Sequence, residues 1–203
     1  MAITTYSELQ TSVTNWLSRT NDTNLQSLYP DFITMAEAKF NRTLRTSDME
    51  TTATVAASSG IVALPADYLE MRRLYLDGST RKELEYLTPE TFYLTFPSNT
   101  GNSKYYTIEG ANIILADQST SANVKILYYQ KITALSGSNP SNWLLTSHPD
   151  LYLYSTLTEA YGVIKNAEQE SKWYGKAISV YEQIASADKR GKFSGTAMRV
   201  VAA

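Results

Sequence analysis

The hydrophobic period changes twice along this chain, from helical to alternating near Met49 and back to helical after residue 136. A period near 3.6 lays an apolar stripe along a helix, whereas a period of two builds one face of a strand. Helical segments on both sides of a strand-rich stretch require the two ends to meet in one core. The expected class is therefore α+β: a helical bundle from N- and C-terminal helices, with an inserted antiparallel β unit. At 203 residues the chain can close one good core and a smaller second one.

The first helical stretch opens on Thr5-Tyr6-Ser7-Glu8, the form of a capping box, in which a hydroxyl and a carboxylate satisfy otherwise unpaired helix amides. Tyr6, Leu9, Val13, Trp16 and Leu17 follow at helical spacing. Thr20-Asn21-Asp22-Thr23 ends that pattern, and Leu25, Leu28, Phe32, Met35, Ala36, Phe40 and Leu44 form a second stripe, with Pro30 marking a boundary or kink. These two helices are expected to pair antiparallel.

From Met49 onward three turn signals punctuate alternating segments. Ser58-Ser59-Gly60 predicts a hairpin between 51–55 and 61–64 and Asp77-Gly78 a second between 72–76 and 82–86, while 105–109 and 112–115 flank Gly110-Ala111. Thr88-Pro89-Glu90 opens a short helix, and Val124 to Tyr129 reads as the strongest strand. After Ser136-Gly137-Ser138-Asn139-Pro140, helices resume at His148-Pro149-Asp150 with the stripe Leu153, Leu157, Ala160, Tyr161 and Ile164. A last helix, about 168 to 189, is expected to bury Trp173, Ala177, Val180, Tyr181 and Ile184. The expected divisions are 1–48, N-terminal helices; 49–135, β region; 136–190, C-terminal helices; and 191–203, an extended tail with two glycines, no helical stripe and no acidic side chain.

The chemistry-bearing residues are sparse. A chain without cysteine has no thiolate nucleophile, disulfide or thiolate metal site, and its single histidine, His148, reads as a helix-start residue. The carboxylate pairs Asp48/Glu50, Glu83/Glu85 and Glu168/Glu170 all have i, i+2 spacing, which puts both members on one side of a strand but splits them on a helix. No phosphate loop, nucleophile elbow or zinc-protease motif is present, so neither catalysis nor a cofactor is expected.

A formal net charge of −2 generates no field that would gather nucleic acid. The cations Arg72, Arg73, Arg81 and Lys82 cluster at one turn, but Glu70, Asp77, Glu83 and Glu85 lie close enough in sequence to neutralise them. No stretch approaches the ~20 apolar residues of a bilayer span, so no membrane partner is expected. Fifteen tyrosines and a charged fraction of 19% suit broad, permanent protein contact.

Four stretches carry a family resemblance: Thr4-Thr5-Tyr6-Ser7-Glu8-Leu9, the run Ala36 to Arg45 leading to Met49-Glu50, Leu64 to Arg72, and Trp143-Leu144-Leu145 before His148-Pro149-Asp150-Leu151-Tyr152. In their order and joint occurrence the chain resembles the head-to-tail adaptor (connector) proteins of short-tailed phages, with the architecture of the T7-type tail tubular protein A. The resemblance implies a virion structural protein of the neck, made in the host cytoplasm and assembled as a homo-oligomeric ring of twelve subunits. The portal protein would lie above it, the tail nozzle protein below, and the genome would pass through the lumen. It also implies a carboxy-terminal arm that grips the portal or a neighbouring subunit. Lys192, Phe193, Met198, Arg199, Val200 and Val201 match that arm by position only. Two other classes are open: a carbohydrate- or cell-wall-degrading tail component using acids and tyrosines, and a packaging accessory that contacts DNA.

Overall fold

A computed structural model describes residues 2–77, 81–98, 102 and 104–193. The chain divides into two compact units, one built from 1–48 together with 132 onward, the other from 49–131. Among the described residues the helices and two four-stranded sheets make an α+β fold.

In the helical unit, α1 (Tyr6–Leu17) starts at the expected box: the Thr5 hydroxyl accepts from the Glu8 N–H at 3.3 Å, and Glu8 Oε2 accepts from the Thr5 N–H at 2.9 Å. The Thr4 N–H and hydroxyl, with the Thr5 N–H, donate to the Glu8 carboxyl and hold it down at about 2. The second stripe breaks at Leu28 into α2 (Thr23–Ser27) and α3 (Tyr29–Thr43), with Pro30 in the first turn of α3, where its missing N–H costs nothing. Phe32, Ile33, Ala36, Glu37 and Phe40 form the buried face of α3, and Met35, assigned to the stripe by spacing, is half exposed.

A five-residue helix that the sequence reading did not separate, α5 (Trp143–Ser147), is capped by Asn142, whose Oδ1 accepts from the Leu145 N–H at 2.8 Å. Then α6 (Pro149–Ile164) runs through the middle of the unit. Leu151, Tyr152, Leu153, Ser155, Thr156, Leu157, Thr158 and Ala160 are all buried, so its burial extends around the helix rather than along one stripe. α1, α3, α5 and α7 (Ala167–Phe193) pack on it, and α1 and α3 meet α6 more than they meet each other. Lys165, left-handed at φ 60°, and Asn166, whose side chain accepts from the Gln169 N–H, reverse the chain between α6 and α7.

The last helix continues to Phe193, which corrects the expected tail start at 191. Lys192 lies one turn beyond Asp188 and pairs with it at 2.8 Å, and cations in a final turn favour the helix. Residues 194–203 lie outside the described residues.

In the β unit, β1 (Glu50–Ala56), β8 (Asn123–Gln130), β3 (Tyr68–Asp77) and β4 (Lys82–Glu83) form one sheet in that order. β2 (Ile61–Ala63), β7 (Asn112–Leu115), β6 (Tyr105–Glu109) and β5 (Glu85–Tyr86) form the other. The strand read as strongest, β8, lies at the centre of its sheet, antiparallel to both β1 and β3. Its alternate residues Val124, Ile126 and Tyr128 join Val62, Leu74, Leu84, Tyr106, Ile113 and Leu115 in one core shared by the two sheets. The helix α4 (Pro89–Thr95) is capped by Thr88 as expected.

Of the three turn signals, only Gly110-Ala111 joins adjacent strands of a single sheet throughout, and it does so as a β6–β7 hairpin. The turn at Ser58–Ile61 forms, with Ser59 and Gly60 at positive φ, but β1 pairs with β8 and β2 with β7, so it hands the chain from one sheet to the other. A Cβ on Gly60 would lie 2.6 Å from the Gln118 Cα, which pins this turn against the 117–120 segment. The second hairpin is partial. β3 pairs with β4 through Tyr75–Glu83 and Leu76–Lys82, and then Leu84 turns inward and β5 joins the other sheet, parallel to β6. Gly78 itself lies outside the described residues.

Candidate interaction surfaces

Three ion pairs join charged groups of the β unit to one another. Arg73 pairs with Glu83 at 2.9 Å, Lys104 with Glu85 at 3.0 Å and Arg72 with Glu50 at 3.6 Å. Arg81 and Arg72 lie over the rings of Tyr75 and Tyr129. Glu83 and Glu85, adjacent in sequence spacing, thus stand in different sheets, each with its own cation. Among the described residues no group of three or more His, Asp or Glu gathers where it could hold a metal ion. Tyr106, Tyr128, Tyr129 and Tyr152 are core residues. Burial, together with hydroxyl donation to Asp67 at 2.8 Å, pushes Tyr128 up to about 12.

The helical unit holds a buried carboxylate that motif reading passed over. Glu37, 4% exposed, accepts from the Leu135 N–H at 2.8 Å and from the Tyr152 hydroxyl at 3.0 Å, both on Oε1. The Asn142 amide donates to the Tyr152 oxygen at 2.7 Å and to the Thr133 carbonyl at 2.8 Å, and Asn41 Oδ1 accepts from the Ile132 N–H. Burial raises the Glu37 carboxyl, against the lowering effect of its two donors. Its role is architectural: side chains of α3 pin the segment that returns from the β unit. The available signal was a carboxylate on the apolar side of the second stripe, next to Ala36 and one turn before Phe40.

Three surface features of the same unit could engage a partner. Trp16, Tyr154 and Trp173 stack at centroid separations of 5.2–6.3 Å, with Lys176 4.5 Å from the Trp173 ring and Lys172 beside it. Trp16 is 47% exposed, so this aromatic and basic patch presents the composition of an interface anchor. Farther along α7, His148, Asp150, Ser179, Glu182 and Arg190, with Val180 and Ile184, line a mixed cleft of about 500 Å³.

The third feature is an apolar groove of about 370 Å³. Phe40 of α3 and Ala177 and Ile178 of α7 form its walls, and Leu151, Ser155 and Thr158 of α6 form its floor. Where α3 and α7 converge, the Tyr181 hydroxyl donates to the Thr43 carbonyl, and farther along Asp188 accepts from the Ser47 N–H at 2.7 Å. Bonds from Ser47 and Lys192 overcome the burial that opposes ionisation and hold the Asp188 carboxyl below its ordinary value. At the opposite end Lys39 pairs with Glu159, and Tyr174 is 52% exposed.

Of the residues singled out for partner contact, Lys192 lies in the last turn of α7 and Phe193 ends it. Met198, Arg199, Val200 and Val201 lie outside the described residues.

Compared with known families, the chain matches the sequence model of the SU10 adaptor protein over residues 4–200. No curated protein matches it.

Proposed function

Because this chain belongs to the SU10 adaptor protein family, the phage adaptors, we propose that it is a non-enzymatic subunit of the head-to-tail adaptor ring in a phage neck. The observation that carries the reading is the family match across nearly the whole length, residues 4–200. In this reading twelve copies close a ring below the portal protein and above the tail nozzle protein, and DNA passes through the lumen without being gripped.

A closed ring is heterologous and needs two unlike faces on each subunit. The helical unit supplies unlike surfaces in the aromatic and lysine patch, the mixed cleft and the apolar groove. A net charge of −2 suits a channel that releases DNA. Lys192 and Phe193, with Met198, Arg199, Val200 and Val201 beyond them, form the arm proposed to engage a partner. Of the three closely spaced carboxylate pairs, Glu83/Glu85 lends the degradative alternative no support, since each member is ion-paired in a different sheet.

Electron microscopy of the purified chain mixed with the portal oligomer from the same genome tests the proposal. Side views of a second ring stacked on the portal are expected. Portal particles that stay bare at saturating adaptor concentration would overturn it.

A further inference from the structure

We infer that the apolar groove between α3, α6 and α7 of one subunit receives Trp16 of a second copy of this chain, with that copy's Lys172 and Lys176 meeting the carboxylates at the end of the groove. The inference rests on the ring reading above and names the two faces that meet. The groove is shaped for a knob rather than for an extended segment. The Lys39–Glu159 pair closes one end and the Tyr181–Thr43 bond the other. Its long side is open, for Tyr174 and Ile178 are exposed on the rim while Phe40 and Leu151 lie buried beneath. A short apolar space of about 370 Å³ suits one large ring and little more.

Charge complements shape. Trp16 is half exposed and braced from behind by Tyr154 and Trp173, so it stands on a firm aromatic base. Lys172 and Lys176 lie over the Trp173 ring, and among the described residues neither has a carboxylate partner. Glu170 is one turn before Tyr174 on α7, and a Cβ added to Gly162 of α6 would lie 3.5 Å from its Oε1. Its carboxylate has no cation among the described residues. Two acids, Glu159 and Glu170, thus stand at the end of the groove where Lys39 is the one cation paired to them. The knob carries two uncompensated cations and the groove end a surplus carboxylate, the pattern that fixes register across an interface.

Helix geometry decides whose Trp16 it is. Lys172 and Lys176 each lie two positions from Tyr174, and Lys176 lies two from Ile178. Two residues turn a helix by about 200°, so the lysine side and the groove side of α7 face opposite ways. A subunit's Trp16 therefore points away from its own groove, and another copy must fill it. Giving on one face and receiving on the opposite one is a heterologous contact, whose repetition closes a ring.

Complementary variants of the full chain test the pairing. Trp16→Ala removes the knob and keeps the groove, whereas Ile178→Asp spoils the groove and keeps the knob. Each alone is expected to raise the concentration needed for ring formation on the portal oligomer about tenfold or more, read by electron microscopy. Mixed in equal amounts without portal, the two are expected to sediment as pairs and no larger species, since one intact knob meets one intact groove. Surface charges give a second readout that leaves the core untouched. K172E/K176E is expected to weaken ring formation to a similar degree, and adding E170K to it to recover part of the loss. Rings that form at the parent's concentration with both Trp16→Ala and K172E/K176E, or a mixture that yields no pairs, overturn this inference and leave the adaptor reading standing. A parent chain that neither forms rings nor seats on the portal overturns both.

Discussion

The helical unit buries polar groups that the β unit avoids. Among the described residues Glu37, Thr46, Ser155, Thr156 and Thr158 are buried in the former and Thr107 in the latter, whose core is otherwise apolar side chains and tyrosine rings. The two units differ in continuity. Residues 49–131 are one uninterrupted segment, and its register is set by strand pairing and by alternation of the pleat. The helical unit must join two segments separated by the whole β unit, and hydrocarbon contact alone is non-directional. Glu37 and Asn41 supply direction by accepting from the backbone of Leu135 and Ile132. The difference teaches that a discontinuous core uses polar side chains as register marks at a cost in desolvation.

That contrast can be broken at several points, taken here from the largest expected effect. Ile126→Ala in the middle of β8 removes a fully buried side chain and should cost about 3–4 kcal/mol, measured by urea unfolding of the full chain. A loss below ~1 kcal/mol would mean that the β unit does not depend on its apolar core. Glu37→Leu leaves the Leu135 N–H without its acceptor and breaks the Tyr152 bond. It should cost about 2–3 kcal/mol despite being more hydrophobic, and a stabilised variant would refute the register role.

Gly60→Ala should cost about 2 kcal/mol, since φ is +73° and the new Cβ meets backbone, whereas Gly110→Ala, at φ +56° in open space, should cost about 1. Equal thermal shifts for the two would deny that the Ser58–Ile61 turn is pinned from outside.

Glu37→Gln sharpens the comparison by separating charge from hydrogen bonding. The folded-state carboxyl titrates above its ordinary value of 4.5, so the folded chain holds this proton more tightly than the unfolded chain does. The associated stabilisation is fully present below the ordinary value and is lost as pH rises through the raised folded value. The variant lacks this loss. Its stability relative to the parent should therefore improve as pH rises from 4 to 7, and a difference that is flat across that range would contradict the assigned cause. The smallest effect belongs to Arg73→Ala, expected to leave the urea midpoint at the parent's value because the Arg73–Glu83 pair is solvent-exposed. A clear drop in that midpoint would show that the β unit's ion pairs do more than neutralise one another.

Legibility followed the range of the interactions. The Thr5 box, the Thr88 cap, the strand break at Gly110-Ala111 and β8 depend on residues a few positions apart, and all were readable. The Ser58-Ser59-Gly60 turn was readable as a turn but not as a passage between sheets, because a turn's local chemistry is the same whichever strand lies beyond it. The helix through Phe193 was missed because Gly191 masks a continuation that Asp188 and Lys192 support. The adaptor resemblance was carried by ordered local motifs, and the family match over 4–200 bears it out. Nothing local announced the groove. Its lining comes from three helices, with Phe40 and Leu151 more than a hundred positions apart.

By itself, the sequence determined where the period changes, which caps and turns form and which family the chain joins, since each of these is encoded within a few neighbouring residues. Only the tertiary structure decided how the strands divide between two sheets, that a carboxylate would pin the returning segment, and where an apolar groove would stay open. Those outcomes depend on which distant surfaces meet, and meeting is a property of the folded chain as a whole.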